Sequence, residues 1–263
     1  MAHAVLICIM VVLTDRQRLV HRDGHHLDPS TSRMRVHLQL RCVSLGGFFP
    51  GLYKSDLPGG EGWAMETITV STHNGTHMDA PYHYHSTMNN GERAITIDEV
   101  PLEWCFSDGV KLDLRSYDDG YVLTKNDLRN EIKKINYDIK PLDMIFINTS
   151  AGGRYGKDDF LTKGCGISKE ATIYLLEQGV RVTGTDAWSW DAPFSYTAEK
   201  FKKTKDPAII WEGHRAGMVQ GYSHIEKLNN LDKLPSHGFK VSAFPFKIKN
   251  GSAGFVRVVA IFK

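Results

Sequence analysis

The segment His73-Asn74-Gly75-Thr76-His77-Met78-Asp79-Ala80-Pro81-Tyr82-His83-Tyr84-His85 constrains the fold of this chain more than any other stretch. Its histidines and its aspartate all occupy odd positions, and a strand places alternate side chains on one face. If the segment were fully extended, His73 and Asp79 would lie about 20 Å apart. Ligands of one ion nearly touch, so the chain must curl if these side chains share one. Gly75 and the Ala80–Pro81 step permit the bend, and both oppose a continuous helix.

Two histidines and an aspartate within this bent segment indicate a divalent-metal site. We interpret His73, His77 and Asp79 as its ligands, since imidazole nitrogen and carboxylate oxygen are common donors to divalent metal ions. The alternative to a metal site is a polar loop whose histidines lie at the surface or donate hydrogen bonds in the core.

A second cluster lies between Trp211 and Glu226. His214 and Glu226 are twelve residues apart, which on a straight helix is about 18 Å, so they converge only if the chain reverses. Gly221 offers the break, with a short helix from His214 before it and a strand carrying Glu226 after it. Glu212, His224 and His237 are equally available on composition alone.

Short β-branched runs alternate with helical patterns along the chain. Helices are predicted over 124–135, which begins with a Thr-x-x-Asp cap, and over 168–178, which ends at Gly179. Strands are predicted at 4–13, 67–72, 109–114, 144–148, 180–183 and 255–262. Residues 14–41 are polar and basic with little periodicity, and we expect a surface loop or arm there. The mixture indicates an α/β or α+β fold.

Length and charge restrict the class of partner. The 263 residues carry 32 Lys and Arg against 30 Asp and Glu, so no strong field favours nucleic acid or an anionic membrane. We expect one domain and a small-molecule partner. The run from Ala4 to Leu13 is too short to span a bilayer and lacks the features of a signal peptide. Four scattered cysteines without a CxxC pair argue against a disulfide framework and a thiolate zinc site, and favour the cytoplasm.

Residues 73–83 match the pattern HxGTHxDAPxH at every specified position. This segment resembles the signature of the cyclase family of metal hydrolases, which includes bacterial kynurenine formamidases and isatin hydrolases. The resemblance extends to Gly166-Ile167-Ser168, Gly184-Thr185-Asp186, and the spacing of His214 and Glu226, and it covers roughly Trp63 to the C-terminus. Where formylkynurenine hydrolases read Gly-Ile-Asp-Thr-Pro-Ser, this chain has Gly184-Thr185-Asp186-Ala187-Trp188-Ser189, which argues against that particular substrate.

The resemblance implies a fold, a cofactor and residue roles. The expected fold is a compact mixed α/β domain of the swivelling β/β/α type, with a mixed sheet or barrel-like β core and flanking helices. Residues 1–44 would form an atypical N-terminal strand and arm, and residues 45–263 the hydrolase domain. His73, His77 and Asp79 would bind zinc or manganese, His83 would be catalytic, and a second ion would add His214 and Glu226. A homodimer or homotetramer is also implied.

The reaction expected from such a site is hydrolysis of an amide-type C–N bond, with an ester or lactone as related substrates. A divalent ion activates water and polarises the carbonyl, and His83 transfers the proton to the leaving nitrogen. A planar or aromatic substrate would pack against Trp63, Trp188, Trp190 and Phe194, whose alternative role is core packing.

Two other classes use some of the same residues. A non-haem iron(II) oxygenase would use His77, Asp79 and His214 as two histidines and one carboxylate, but it leaves His73 and His83 without a role. A non-catalytic binding protein with a zinc-stapled loop would close the site with four ligands and leave no position for water. Metal analysis with a measurement of oxygen consumption distinguishes the oxygenase from a metal-dependent hydrolase. An assay of amide hydrolysis distinguishes the non-catalytic binding protein from it.

Overall fold

The computed structural model describes residues 5–8, 35–39, 49–60 and 65–262. The contacts within the chain divide it into two units. The larger unit comprises Met1–Leu13 and Thr72–Lys263, and the smaller unit comprises Thr14–Ser71. The strands are β1 Val5–Cys8, β2 Arg35–Gln39, β3 Met65–Thr69, β4 His77–Asp79, β5 Thr87–Met88, β6 Glu92–Arg93, β7 Phe106–Asp113, β8 Val122–Leu123, β9 Met144–Asn148, β10 Gly166–Ile167, β11 Val182–Thr185, β12 Ser223–Glu226, β13 Phe239–Ser242, β14 Ala253–Phe255 and β15 Val259–Phe262. The α-helices are α1 Pro81–Tyr84, α2 Lys125–Lys134, α3 Lys169–Glu177, α4 Phe194–Thr204 and α5 Ala216–Val219. Short 3-10 helices lie at Lys54–Asp56, Pro58–Gly60, Ile97–Glu99, Leu102–Trp104, Gly152–Arg154, Phe160–Thr162, Pro207–Ile209 and Leu231–Lys233.

A nine-stranded mixed sheet in the order β1-β15-β13-β7-β9-β11-β12-β4-β14 is the centre of the larger unit. The strands β7, β9, β11 and β12 run parallel, and the other neighbours pair antiparallel. This arrangement confirms the predicted mixed α/β fold with a central sheet and flanking helices.

The connection between the last two strands shows that the sheet curls. β14 lies at one end of the strand order, whereas β15 is second from the other end. Only residues 256–258 separate them, and a link of that length spans about 14 Å at most. A flat sheet of nine strands would be far wider, because neighbouring strands lie about 4.8 Å apart. The two ends of the sheet must therefore approach each other, as in a partly closed barrel.

The central strand β9 shows how the two faces of the sheet are buried. All five of its residues are buried, as expected for a parallel strand covered on both sides. Met144 and Phe146 pack in one hydrophobic cluster with Val241. Ile145 and Ile147 pack in another cluster on the opposite face, with Leu175 of α3. The alternation along one strand thus separates two cores.

Both predicted long helices are present with their predicted caps. Thr124 and Asp127 form a reciprocal capping box at the start of α2. Ser168 accepts a hydrogen bond from the Ala171 amide at the start of α3. Gly179 follows α3 with φ +90°, the left-handed conformation that favours glycine after a helix. These local signals are sufficient to fix both helices.

Three predictions of local structure need correction. The strand predicted over 180–183 is Val182–Thr185, because Val180 still donates its amide to Leu175 at the end of α3. The strand predicted over 255–262 is split into β14 and β15, since the Val256 amide turns toward the Thr76 carbonyl. The loop or arm predicted over 14–41 contains β2, which pairs with β3. The boundary at residue 44 stays a prediction.

Candidate metal centre

The antiparallel pair β4 and β12 builds the centre of the site. His77 lies directly opposite Glu226, and Asp79 lies directly opposite His224. Side chains that face each other across an antiparallel pair have Cβ atoms about 5 Å apart. Because Met78 and its partner Ile225 belong to the hydrophobic core, the four polar side chains share the other face.

The turn before β4 curls as the sequence predicts and brings His73 onto Asp79. Gly75 has φ +58°, and the His73 Nδ1 atom lies 2.8 Å from Asp79 Oδ1. The other ring nitrogen of His73 lies 3.0 Å from Ser252 Oγ. His77 Nδ1 is 2.9 Å from the Gly75 carbonyl oxygen and can only donate to it, which leaves the Nε2 lone pair of His77 directed into the site.

His83 follows at the rim of the site. Pro81 begins the short helix α1, which places His83 Nε2 3.9 Å from Asp79 Oδ2, with the His83 side chain 20% exposed. Burial lowers the pKa of His83 to about 4, against the opposing attraction of Asp79. His83 is therefore a neutral imidazole that can accept a proton at neutral pH.

His214 enters from the loop before α5, and Asp191 orients it. Asp191 accepts hydrogen bonds from the Gly213 and His214 amides, and its Oδ2 lies 2.5 Å from His214 Nδ1. His214 Nε2 consequently faces Glu226 Oε1 at 3.8 Å. A carboxylate behind an imidazole fixes the tautomer and orientation of the ring, as in metal centres. Asp191 was not predicted from the sequence.

The chain reverses between His214 and Glu226 as predicted, but Gly221 does not form a left-handed cap. α5 ends at Val219, and its C-cap residue Gln220 has an extended conformation. Gly221 does not have a positive φ. A side chain at Gly221 would instead press on the Met88 sulfur. The break therefore depends on close packing rather than on a special backbone conformation.

His224 joins the site as a residue that composition alone did not single out. Its Nε2 lies 3.0 Å from Asp79 Oδ2 and 3.4 Å from Glu226 Oε1. Burial opposes charge on His224, but the attraction of the Asp79 and Glu226 carboxylates prevails and raises its pKa to about 9. His224 precedes Glu226 by two residues in a strand, and this spacing is the signal that places both on one face.

The donor atoms fit a divalent cation. Asp79, His214, His224 and Glu226 offer ligand atoms within 4.8 Å of one another, and His73, Asp79 and His83 form a second such group. Among the residues that the structure describes, His77 Nε2, both Asp79 oxygens and His224 Nε2 are buried without a hydrogen-bond partner of good geometry.

Such buried unpaired polar atoms are costly unless a cation or water satisfies them. Although burial raises the pKa of Asp79, the surrounding imidazoles of His83, His77, His224 and His73 prevail and hold it well below its usual range. Nitrogen and oxygen donors around an ionised carboxylate suit zinc or manganese.

An aromatic strip extends from the rim of this centre. Trp211 stacks on His214 at 5.1 Å between ring centroids and lies 5.7 Å from His83. Phe194 lies 5.9 Å from Trp211 and 5.3 Å from Trp188. Phe194 is 41% exposed and Trp211 36% exposed, so a flat ligand can reach both.

Of the other two predicted pocket residues, Trp190 lies away from this surface and Trp63 lies outside the described residues. Trp190 is 1% exposed and donates its indole hydrogen to Thr172. Its backbone amide donates to Glu226 Oε1. Trp211, which sequence reasoning did not include, has φ +54°, an uncommon conformation for a bulky residue.

Residues 16–192 match the model of the Cyclase family. The chain belongs to the Cyclase family. The kynurenine formamidase of Erythrobacter litoralis (strain HTCC2594) is 27% identical over 193 residues, which cover 73% of this chain and 74% of that protein.

Two solved structures share the fold. Isatin hydrolase A from Labrenzia aggregata matches with TM-score 0.73 and 22% identity over 98% of this chain and 94% of that one. Isatin hydrolase A from Ralstonia solanacearum matches with TM-score 0.74 and 19% identity over 99% of this chain and 92% of that one.

These comparisons confirm the family resemblance and the expected fold. Together with the ligand cluster, they support the prediction of a metal-dependent hydrolase. No helix among the described residues is long and apolar enough to cross a membrane. Cys105 and Cys165 are buried free thiols.

Proposed function

We propose that this member of the Cyclase family is a divalent-metal-dependent amidohydrolase that opens the C–N bond of a planar aromatic amide. The observation that carries the proposal is the convergence of unpartnered donor atoms of His77, Asp79 and His224 beside an exposed aromatic strip. The proposed substrates are an arylformamide or an isatin-like cyclic amide, with an ester or lactone as related alternatives.

His73, His77 and Asp79 are the proposed ligands, and His214, His224 and Glu226 complete the ligand set on the neighbouring strand and loop. A divalent ion, zinc or manganese, supplies Lewis-acid chemistry at such a site, since it lowers the pKa of a water and polarises a carbonyl. Asp191 and the Gly75 carbonyl hold the rings of His214 and His77 in the orientation that presents Nε2.

His83 is the proposed proton carrier. Its imidazole is neutral at neutral pH and lies beside Asp79 without closing on it. It would accept the proton from the attacking water and return it to the departing nitrogen, which is a poor leaving group unless protonated. No serine or cysteine nucleophile is needed, and the buried thiols of Cys105 and Cys165 have raised pKa values.

The aromatic strip supports the choice of substrate. Trp188 and Phe194 were predicted to hold a flat ring, and Trp211 continues the surface to His83 and His214. A ring that stacks there would lie beside His83 and His214, next to the ligand cluster. The names of the relatives agree with this chemistry, because a formamide and isatin each present a carbonyl carbon bonded to nitrogen.

The proposal also includes a homodimer or homotetramer, which rests on the family resemblance, and a cytoplasmic location, which rests on the scattered cysteines. Size-exclusion chromatography with light scattering measures the oligomeric state directly.

A hydrolysis screen tests the proposed activity. The zinc- and manganese-loaded protein is assayed against formamides, lactams, lactones and aryl esters, with oxygen consumption recorded in parallel. Asp79→Asn is the informative variant, since it removes the carboxylate shared by both ligand groups. We expect metal-dependent turnover of an aromatic amide in the wild type and its loss, together with the metal, in Asp79→Asn. Hydrolysis that continues without metal, or oxygen consumption in place of hydrolysis, refutes the proposal.

A further inference from the structure

We propose that Lys227 confines this centre to a single divalent ion by holding one oxygen of Glu226 with a buried positive charge. The inference rests on the proposed function, because it assumes that the ligand cluster binds metal. It concerns how many ions the cluster accepts, which decides whether the site works with one cation or with a pair.

Lys227 reaches the site from the residue directly after Glu226. Its Nζ atom lies 3.1 Å from Glu226 Oε2 and 5.3 Å from the centre of the Trp188 ring. The residue is 4% exposed, so water does not screen its charge. A buried ammonium is costly unless it is paired, and Glu226 is the partner that the structure provides.

The two oxygens of Glu226 have different surroundings. Oε1 accepts the Trp190 amide and faces His224 and His214. Oε2 faces His77 at 3.6 Å and is bound by the Lys227 ammonium. Because Lys227 holds Oε2, Glu226 has only Oε1 left to bind metal.

The local charges lead to the same result. Three buried carboxylates, those of Asp79, Asp191 and Glu226, surround the cluster, and Lys227 is the ammonium paired with them. When the histidines bind as neutral ligands, one divalent ion balances the two negative charges that remain. A second would add two uncompensated positive charges close to Nζ, since paired ions in such sites lie about 3.5–4 Å apart. Repulsion of this kind is strong where water is excluded.

The backbone at Lys227 is fixed in an unusual conformation. Lys227 has φ +59°, in the left-handed region that non-glycine residues adopt at a cost. Its amide donates to the Ala187 carbonyl, and its carbonyl accepts the Thr76 hydroxyl at 2.6 Å. These two bonds hold the backbone of the residue, and its side chain turns back onto Glu226. Strain held in this way is typical of functional positions.

The experiment measures bound metal rather than turnover. Wild type, Lys227→Met, Lys227→Gln and Lys227→Arg are dialysed against increasing Mn²⁺, and the bound metal per chain is determined by elemental analysis. Electron paramagnetic resonance then distinguishes an isolated Mn²⁺ from a spin-coupled pair. Lys205→Met is the matched control, because Lys205 also has a positive φ of 56° and an aromatic partner, Phe201. Unlike Lys227, Lys205 is exposed and is the C-cap residue of α4.

We expect one isolated Mn²⁺ per chain in the wild type, Lys227→Arg and Lys205→Met. Lys227→Met and Lys227→Gln should bind a second, spin-coupled ion. We expect the affinity for this second ion to be roughly 10- to 100-fold higher than in the wild type, which is the size of effect typical when a residue that holds a metal ligand is replaced.

Two coupled ions in the wild type, or one ion with unchanged affinity in both neutral variants, would overturn the inference and leave the proposed function intact. If the neutral variants fail to fold, two coupled ions in the wild type or in Lys227→Arg still overturn the inference. A wild-type protein that binds no metal would overturn the inference and the proposed function together.

Discussion

Replacing His83 by alanine separates proton transfer from metal binding. His83 Nε2 lies 3.9 Å from Asp79 Oδ2, beyond hydrogen-bond distance, so His83→Ala removes no direct partner of that carboxylate. The ring packs against His73, with 4.2 Å between the centroids, and against Trp211. We therefore expect a loss of folding stability of roughly 1 kcal/mol, the usual value of one such aromatic contact.

The expected effect on turnover is much larger. A positioned acid–base group contributes about 10²- to 10⁴-fold, which corresponds to about 2.7–5.4 kcal/mol of activation free energy. The kcat of His83→Ala should fall by that factor on the best substrate of the hydrolysis screen, while the metal content stays that of the wild type. Turnover is followed by absorbance, and metal by elemental analysis of the same samples.

A matched control is available two residues away. His85 belongs to the same segment but is exposed and interacts with Thr87, so His85→Ala should keep both metal and turnover. If His83→Ala loses its metal, His83 is a ligand rather than a proton carrier. If its turnover is unchanged, another group moves the proton and the assignment of His83 is wrong.

Three further predictions follow from the surroundings of the site. Asp191→Asn should weaken metal binding roughly 10- to 100-fold in a metal titration, because Asp191 orients His214; unchanged affinity would show that His214 binds no metal. Gly217→Ala should lower the free energy of unfolding by roughly 1–3 kcal/mol in urea, since a Cβ there would collide with the Tyr84 ring, which stacks on His224; a neutral effect would mean that Tyr84 moves freely. Burial raises the pKa of Asp186 to about 7 against the hydrogen bonds of Thr149 and Asn148, so its protonation stabilises the fold at acidic pH, and that contribution is lost as the pH rises through about 7. Asp186→Asn should therefore flatten this part of the stability–pH profile in thermal unfolding, and a parallel profile would contradict the assignment.

Much of the site was available from the sequence because it is local. The alternation of His73, His77 and Asp79 and the bend at Gly75 require only strand geometry and the conformational freedom of glycine. The caps of α2 and α3 are equally local, since Thr124 with Asp127 and Ser168 bond to backbone atoms within one turn.

Other parts were beyond local reasoning. Asp191 lies 23 residues from its partner His214, and nothing in the spacing of the two predicts their contact. The sequence alone would place Lys227 at the solvent-exposed surface, whereas the structure shows it buried and paired with Glu226. Trp190 was predicted to line the pocket and Trp211 was not, and only packing puts Trp190 in the core and Trp211 at the rim.

The sequence by itself determined that His77 and Asp79 share one face of a strand, because successive side chains alternate whatever the strand pairs with. Only the tertiary structure decided that His224 and Glu226 stand opposite them. That register is set on the other face of the sheet, where Met78 lies opposite Ile225 in the hydrophobic core. A shift of one residue would turn the ligands into the hydrophobic core and the core side chains toward the metal centre, so packing of the apolar pair fixes the position of the polar ones.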